Sequence, residues 1–156
     1  MKTLIVYDSV FGNTKEVATL IGNSCSNGVT LSHVSKAPKP AGFDLVVVGS
    51  PTRAFQPTKP IKQYVKQTTF DGYIAFFDTR INIETVDNKF LTRMVKWFGY
   101  SNDTLEKLAR RKHLKTILPS GEFYVKDTEG PLEDGETTRI TKWVNIILSN
   151  TKGDNA

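Results

Sequence analysis

Two hydrophobic patterns alternate along the chain. Short, continuous runs of β-branched and aromatic residues predict buried strands, whereas apolar residues spaced three and four positions apart predict the buried faces of amphipathic helices. The first pattern predicts strands at residues 4–7, 29–33, 45–49, 73–77 and 116–125. The second predicts helices whose apolar faces lie at 17–21, 61–65, 91–98, 105–109 and 140–148. One helix is therefore short or missing between the second and third strands.

This alternation predicts the α/β fold class. Strands separated by helices form a parallel sheet with helices on both faces, which is a three-layer α/β/α sandwich. Right-handed connections leave few topologies, and the simplest is a five-stranded parallel sheet of order 2-1-3-4-5. In such sheets ligands bind at the carboxyl ends of the strands, where the strand order reverses. Here the reversal lies between the first and third strands.

Size and composition narrow the class of protein. For 156 residues we expect one domain at 1–149, followed by a polar tail at 150–156. A hydrophobic share of 38% and a charged share of 24% are typical of soluble globular proteins. No apolar run approaches the ~20 residues that a membrane span needs. Cys25 is the only cysteine, so no internal disulfide can form and a cytoplasmic location is expected.

The formal net charge of +5 favours anionic ligands or partners. No zinc-ligand spacing, aromatic RNA-binding pattern or long basic arm indicates a nucleic-acid partner. Arg110, Arg111 and Lys112 form a short basic cluster at the end of a predicted helix, where they suit the helix dipole. His33 and His113 have no ligand spacing around them that would indicate a metal site.

The loop after the first strand has the features of an anion site. Asn13 is predicted to cap the following helix, with Glu16 at the capping-box spacing. The first turn of a helix exposes unpaired N–H groups at the positive end of its dipole, and this suits a phosphate. Ser9 and Thr14 add hydroxyl groups, and Gly12 allows a ligand to approach the backbone closely. An ordinary strand–helix turn has the same pattern, so the loop alone leaves both interpretations open.

Two further loops are expected beside the first. One covers residues 50–58, after the third strand, and the other begins at 78–80, after the fourth strand. The carboxyl ends of parallel strands lie at one edge of the sheet, so the three loops are predicted to form a single site.

The first two loops together resemble those of the flavodoxin family. Residues 9–14, Ser-Val-Phe-Gly-Asn-Thr, are similar to the loop that holds the phosphate of FMN, usually Ser/Thr-x-Thr-Gly-Asn/Gln-Thr. Residues 49–52, Gly-Ser-Pro-Thr, are similar to the start of the loop that lies against the flavin ring. The resemblance extends over nearly the whole chain, and the lack of a large insertion in the last strand makes it similar to short-chain members.

This resemblance implies FMN as the cofactor and gives roles to three groups of residues. The FMN phosphate would be held by Ser9, Val10, Phe11, Gly12, Asn13 and Thr14. One side of the isoalloxazine ring would contact Pro51, Thr52, Arg53, Ala54 and Phe55. The polar edge of the ring would meet the backbone N–H and C=O groups of Asp78, Thr79 and Arg80.

Two departures from the family pattern change what we expect of the site. Phe11 stands where the family usually has a threonine, so one hydroxyl donor is lost and weaker phosphate binding is expected. Arg53 and Arg80 fall in the two loops expected to flank the ring, whereas typical flavodoxins are acidic. A nearby cation stabilises an anionic reduced flavin, so we hypothesise a less negative reduction potential than in acidic flavodoxins.

The resemblance implies an electron carrier between a reductase and an acceptor, met through weak, charge-steered encounters. The net positive charge suggests that these partner proteins are acidic. One alternative is an FMN-dependent reductase of a quinone or another small molecule, with residues 81–100 building its substrate pocket. Another is a binding module that has lost FMN. Its marks would be Phe11 and a third loop in which Asp78, Thr79 and Arg80 stand where the family often has Gly-Asp and Tyr.

Overall fold

The computed structural model describes residues 1–83 and 88–153, apart from the side chains of residues 97 and 98. Five parallel strands form one sheet in the order β2-β1-β3-β4-β5, which confirms the fold class and topology predicted from the sequence. The strands are β1 (Thr3–Tyr7), β2 (Val29–His33), β3 (Leu45–Pro51), β4 (Tyr73–Ile81) and β5 (Lys115–Val125).

The helices lie where the apolar periodicity predicts them. Their bounds are α1 (Asn13–Ser24), α2 (Lys59–Gln67), α3 (Lys89–Phe98), α4 (Ser101–Arg111) and α5 (Glu136–Lys152). A single 3₁₀ turn, Val34–Lys36, stands where a helix between β2 and β3 was expected to be short or missing. Within the described ranges, no helix combines the length and hydrophobicity that a bilayer span requires.

The sheet separates two hydrophobic clusters. Alternate residues of each strand point to opposite faces, so Val46 and Val48 pack on one side while Leu45 and Val47 pack on the other. Helices α2 and α4 cover the first side, and α1 and α5 cover the second. The continuous β-branched run of β3 is fully buried because it is the central strand, covered on both faces.

Several boundaries differ from the sequence prediction. Strand β4 continues through Ile81, so residues 78–80 are part of a strand and the prediction of a loop there was wrong. Parallel pairing with β3 and β5 extends over these residues, which gives their backbone groups hydrogen-bonding partners. The last helix runs to Lys152, inside the range predicted as a polar tail, and residues 154–156 of that tail lie outside the described residues.

The cap of helix α1 also differs from the prediction. The N-cap residue is Gly12, with φ 95°, and Asn13 is the first residue of the helix. The carbonyl oxygen of Gly12 accepts the N–H of Glu16 at 3.0 Å, and the Oγ of Ser9 accepts the N–H of Lys15 in the first turn at 3.4 Å. The N-cap is therefore Gly12 and not Asn13. Glycine adopts this left-handed conformation readily because it has no Cβ to clash with the backbone.

Candidate functional site

A cleft of about 280 Å³ opens at the carboxyl ends of β1, β3 and β4. It lies at the reversal of strand order, where ligands bind in sheets of this kind. The structure brings most of the residues predicted from the three loops to its walls. These are Ser9, Val10, Phe11, Asn13, Thr14, Pro51, Thr52, Arg53, Ala54, Thr79 and Arg80.

Three predicted site residues do not line the cleft. Gly12 forms the N-cap of α1, Phe55 is half-buried in the second loop, and Asp78 is completely buried. The sequence analysis missed three wall residues, Ile81, Val125 and Thr128. Ile81 and Val125 are paired in register at the ends of β4 and β5, so only the full length of these strands would have placed them at the cleft.

The first loop, residues 8–12, is held by hydrogen bonds within itself. The N–H of Ser9 donates to Asp8 Oδ1 at 2.9 Å, and the N–H of Gly12 donates to Ser9 Oγ at 3.1 Å. Val10 and Phe11 at the tip of the loop are about half exposed. The loop thus presents its tip and the first turn of α1 to the cleft.

His33 supports this loop from the neighbouring strand. Its Nε2 lies 3.2 Å from Asp8 Oδ1, and its Nδ1 accepts the N–H of Ser35 at 3.2 Å. Because Nδ1 is an acceptor, the proton of the neutral ring sits on Nε2 and points at Asp8. Asp8 is therefore shared between His33 and the N–H of Ser9.

Two contacts join the first loop and α1 to the rest of the site. The hydroxyl groups of Thr14 and Thr79 are 2.8 Å apart and buried, which ties the start of α1 to β4. The side chain of Asn13 lies against the α-carbon of Gly130, where a Cβ would collide with it. The loop after β5 therefore packs over the first loop, and its Thr128 reaches the cleft.

The second loop forms a tight turn at residues 53–56. Arg53 and Gln56 exchange both backbone hydrogen bonds, each at 2.9 Å. The two central residues, Ala54 and Phe55, have φ of 46° and 65°, a left-handed conformation that usually requires glycine or asparagine. Such backbone strain is common in loops that shape binding sites.

The start of helix α4 fixes the base of the second loop. Ser101 Oγ donates to the carbonyl oxygen of Pro51 at 3.1 Å, and the N–H of Ser101 donates to Thr52 Oγ1 at 3.3 Å. The N–H of Thr52 donates to the carbonyl oxygen of Thr79 at 3.0 Å, which extends the β3–β4 pairing into the loop. The side of the cleft formed by residues 51–54 is therefore anchored at its base, whereas Arg53 and Ala54 themselves are exposed.

A buried ion pair lies under the third part of the site. Arg80 donates from Nε and Nη2 to the two oxygens of Asp78, both at 2.7 Å, and the N–H of Asn102 donates to the same carboxylate at 3.2 Å. The guanidinium also lies 3.5 Å from the centroid of the Tyr100 ring, and Nη1 is 3.6 Å from Glu122 Oε1. The charge of Arg80 is thus largely balanced within the protein.

Burial affects the pKa values of both members of this pair. It raises the pKa of Asp78 to about 6, against the opposing effects of the Arg80 guanidinium and the Asn102 N–H. Burial lowers the pKa of Arg80, but the hydrogen bonds and charge of Asp78 outweigh it, and the net shift is upward. At pH 7 the pair is therefore predominantly ionic.

Other reactive groups lie outside the cleft. Cys25 follows α1, and burial raises the pKa of its thiol, which makes it a poor nucleophile. No group of three His, Cys, Asp or Glu side chains in the described part of the chain could hold a metal ion. The cleft combines backbone N–H groups at a helix start, hydroxyl groups and an exposed arginine, a set that suits an anionic ligand with a planar part.

A family model described as a flavodoxin domain matches residues 4–114. A sequence search of curated proteins finds no match. Solved structures are similar in fold. A flavodoxin from the domain Archaea is 19% identical, with a TM-score of 0.73 over 97% of this chain and 99% of its own.

Two other solved structures show how widely this fold is used. A mutant flavodoxin from Fusobacterium nucleatum, bound to flavin mononucleotide, is 15% identical, with a TM-score of 0.65 over 96% of this chain and 97% of its own. Rubredoxin oxygen:oxidoreductase from Desulfovibrio gigas is 19% identical, with a TM-score of 0.68 over 99% of this chain but only 37% of its own. At such low identity these likenesses establish the fold alone.

Proposed function

The chain belongs to the flavodoxin family, and from this premise we propose that it binds FMN in the cleft and carries electrons between a reductase and an acceptor. The observation that carries the proposal is the convergence of the three predicted segments on one cleft at the reversal of strand order. The flavin mononucleotide bound to the related Fusobacterium nucleatum flavodoxin supports the choice of cofactor.

The residues of the cleft fit the parts of FMN. The first loop and the start of α1 would hold the phosphate, since Gly12 at φ 95° leaves the backbone open where an added Cβ would meet nothing within 4 Å. The flat ring would lie against residues 51–54 and residues 79–81, which both line the cleft. When bound, FMN would supply the redox chemistry, so the protein has to contribute only binding, orientation and the local electrostatic potential.

The structure reduces what we expect Arg80 to contribute to the reduction potential. Asp78 balances the charge of Arg80, whereas Arg53 is exposed at the rim of the cleft. The hypothesis of a less negative potential stays a prediction, and we expect Arg80 to contribute little to it because its charge is balanced. A redox titration of wild type and of Arg80→Ala would contradict a role for Arg80 if the two potentials were equal.

We also propose acidic redox partners in a reducing cytoplasm. The net charge of +5 and the single cysteine support this setting. Binding between this protein and acidic partners would weaken as ionic strength rises, because exposed charges are screened beyond about 8 Å in physiological salt.

The first test is the visible absorbance spectrum of the purified protein, before and after it is mixed with FMN and freed of excess ligand. Flavin bands at about one equivalent would support the proposal. A protein that neither retains FMN nor quenches its fluorescence would overturn it. Steady NAD(P)H:quinone turnover without an added reductase would instead favour the FMN-dependent reductase.

A matched pair of variants locates the site. Asn13→Asp introduces a negative charge at the first turn of α1, beside the proposed phosphate, and should weaken FMN binding about tenfold or more. Asn23→Asp makes the same change at an exposed position near the other end of α1 and should leave FMN affinity unchanged. Equal effects of the two variants would argue against phosphate binding at the first loop.

A further inference from the structure

The side chain of Arg53 reaches the first loop, whereas the family resemblance implies that Arg53 contacts the flavin ring. Its backbone is fixed by the two hydrogen bonds that it exchanges with Gln56, each at 2.9 Å. Its guanidinium carbon lies 5.9 Å from the centroid of the Phe11 ring, so the side chain reaches from the second loop to the tip of the first. Both side chains line the cleft.

The first loop, residues 8–12, lacks a positive charge of its own. Phe11 offers no hydroxyl group, and Ser9, whose Oγ accepts the N–H of Gly12 at 3.1 Å, can donate only a neutral O–H. Asp8 holds the N–H of Ser9, so its carboxylate orients the loop. Residues 8–12 contain no lysine or arginine, so a dianionic phosphate at this loop would need a cation from another segment to balance its charge.

Arg53 is the arginine of the cleft whose charge is available for a ligand. Arg80 is committed to Asp78 by two hydrogen bonds of 2.7 Å and has Glu122 beside it. Arg53, by contrast, forms no salt bridge with any residue that the structure describes. Its contact with the Phe11 ring keeps the guanidinium beside the loop while leaving its N–H groups to bond elsewhere.

We propose that Arg53 binds the phosphate of the ligand and sets the preference of the cleft for a phosphorylated flavin over an unphosphorylated one. The planar guanidinium can donate two parallel hydrogen bonds to phosphate oxygens, a geometry that lysine cannot reproduce. Phe11 serves as the surface on which the guanidinium rests, in place of the missing hydroxyl donor. The proposal rests on the proposed function, since it requires FMN to bind in this cleft.

The test compares the affinities of FMN and riboflavin, which differ only in the phosphate, for wild type, Arg53→Ala, Arg53→Lys and Arg111→Ala. Fluorescence quenching gives both dissociation constants. Arg53→Ala should lower the FMN-to-riboflavin affinity ratio about tenfold through its effect on FMN alone. Arg53→Lys should retain part of the preference. Arg111→Ala removes the same charge from an exposed position at the far end of α4 and should leave the ratio unchanged.

Salt dependence gives a second readout of the same contact. Raising the ionic strength should weaken FMN binding to wild type more than to Arg53→Ala, because only the wild type has this ion pair to screen. Riboflavin binding should depend little on salt in either protein.

The outcomes separate the inference from the proposed function. Equal losses of FMN and riboflavin affinity in Arg53→Ala would mean that Arg53 contacts the ring, and unchanged affinities would mean that it contacts neither part; both results overturn the inference while leaving FMN binding intact. Failure of the wild type to bind either flavin would overturn the proposed function and the inference together. Because Arg53 is exposed, its replacement is not expected to unfold the protein.

Discussion

Asp78 and Arg80 form a buried ion pair that was not predicted from the sequence. They are two positions apart on β4, so their side chains lie on the same face of the strand and can meet without a turn. From the sequence both residues were expected in a loop beside the flavin ring, whereas Asp78 is 0% exposed and Arg80 is 7% exposed. Each charge of such a pair is stabilised by the other, and removing one residue leaves a buried charge without a counter-charge.

Replacing Arg80 with methionine should reveal this dependence. Arg80→Met leaves the buried carboxylate of Asp78 without its cation and should reduce the free energy of unfolding by about 3–5 kcal/mol at pH 7. It should also raise the pKa of Asp78 further, because Arg80 opposes the effect of burial. Urea unfolding and an NMR titration of the carboxyl carbon would measure the two effects. A loss below about 1 kcal/mol would contradict the ion-pair argument.

The pH dependence of stability follows from the same carboxyl group. Its pKa of about 6 in the folded protein lies above the ordinary value of 3.8, so between these pH values the folded protein binds a proton that the unfolded chain does not. The contribution of Asp78 to stability therefore rises as the pH falls through 6 toward 4, and it is lost as the pH rises. The difference in unfolding free energy between wild type and Asp78→Asn should follow this trend, and a constant difference would contradict it.

Gly12 illustrates a residue whose backbone angle alone makes it necessary. Gly12→Ala should lower the free energy of unfolding by about 1–2 kcal/mol in the protein without ligand, because φ at this position is 95°. An added Cβ would meet no atom within 4 Å, so the backbone angle is the source of this cost. Gly153→Ala is the matched control, since φ there is −68° and space is also open. It should be neutral or stabilising by up to about 1 kcal/mol. Urea unfolding of both variants checks the prediction, which fails if the two behave alike.

At the scale of elements, the ends of strands were harder to predict than their centres. The buried runs of β3 and β4 are apolar and predict strands, but both strands continue into the polar residues of the site. Residues 50 and 51 pair with residues 78 and 79, and Asp78 pairs in turn with Glu122. Polar residues can extend a strand when the neighbouring strands supply hydrogen bonds, which the local pattern cannot report.

The turn at residues 53–56 is a second element whose form disagrees with its local sequence. Ala54→Asn should stabilise the protein by roughly 0.5 kcal/mol, because asparagine tolerates the left-handed conformation that Ala54 adopts at φ 46°. Ala54→Val should cost about 1–3 kcal/mol, because a β-branched residue is strained there. Ala54 is exposed, so thermal unfolding compares the backbone effects with little change in packing. An equal effect of both variants would contradict the assigned turn.

At the scale of the whole molecule, the sheet divides the core in two. Ile61 and Val65 of α2 belong to one hydrophobic cluster, whereas Ile147 and Trp143 of α5 belong to the other. All four are buried, and the central strands lie between them. Each face of the sheet therefore packs against its own helices, and residues substituted on opposite faces share no helix neighbours.

Mutations on opposite faces should consequently be additive. Ile61→Val and Ile147→Val should each cost about 0.5–1.5 kcal/mol, and the double variant should equal their sum within about 0.5 kcal/mol. The matched comparison is Phe77→Leu with Trp143→Phe, whose rings lie 6.4 Å apart in one cluster. That pair should show a coupling energy of about 0.5–1.5 kcal/mol. Urea unfolding measures both cycles, and coupling between Ile61 and Ile147 would contradict the division.

The sequence by itself determined the elements, their order and the edge of the sheet where a ligand binds. Hydrophobic periodicity reports burial directly, and the right-handed connection between parallel strands leaves little choice of topology. Only the tertiary structure decided that residues 78–80 are strand, that Asp78 and Arg80 pair, and that Arg53 leans toward Phe11. These features depend on neighbours distant in sequence, because the conformation and charge state of a polar side chain are set by the groups that surround it.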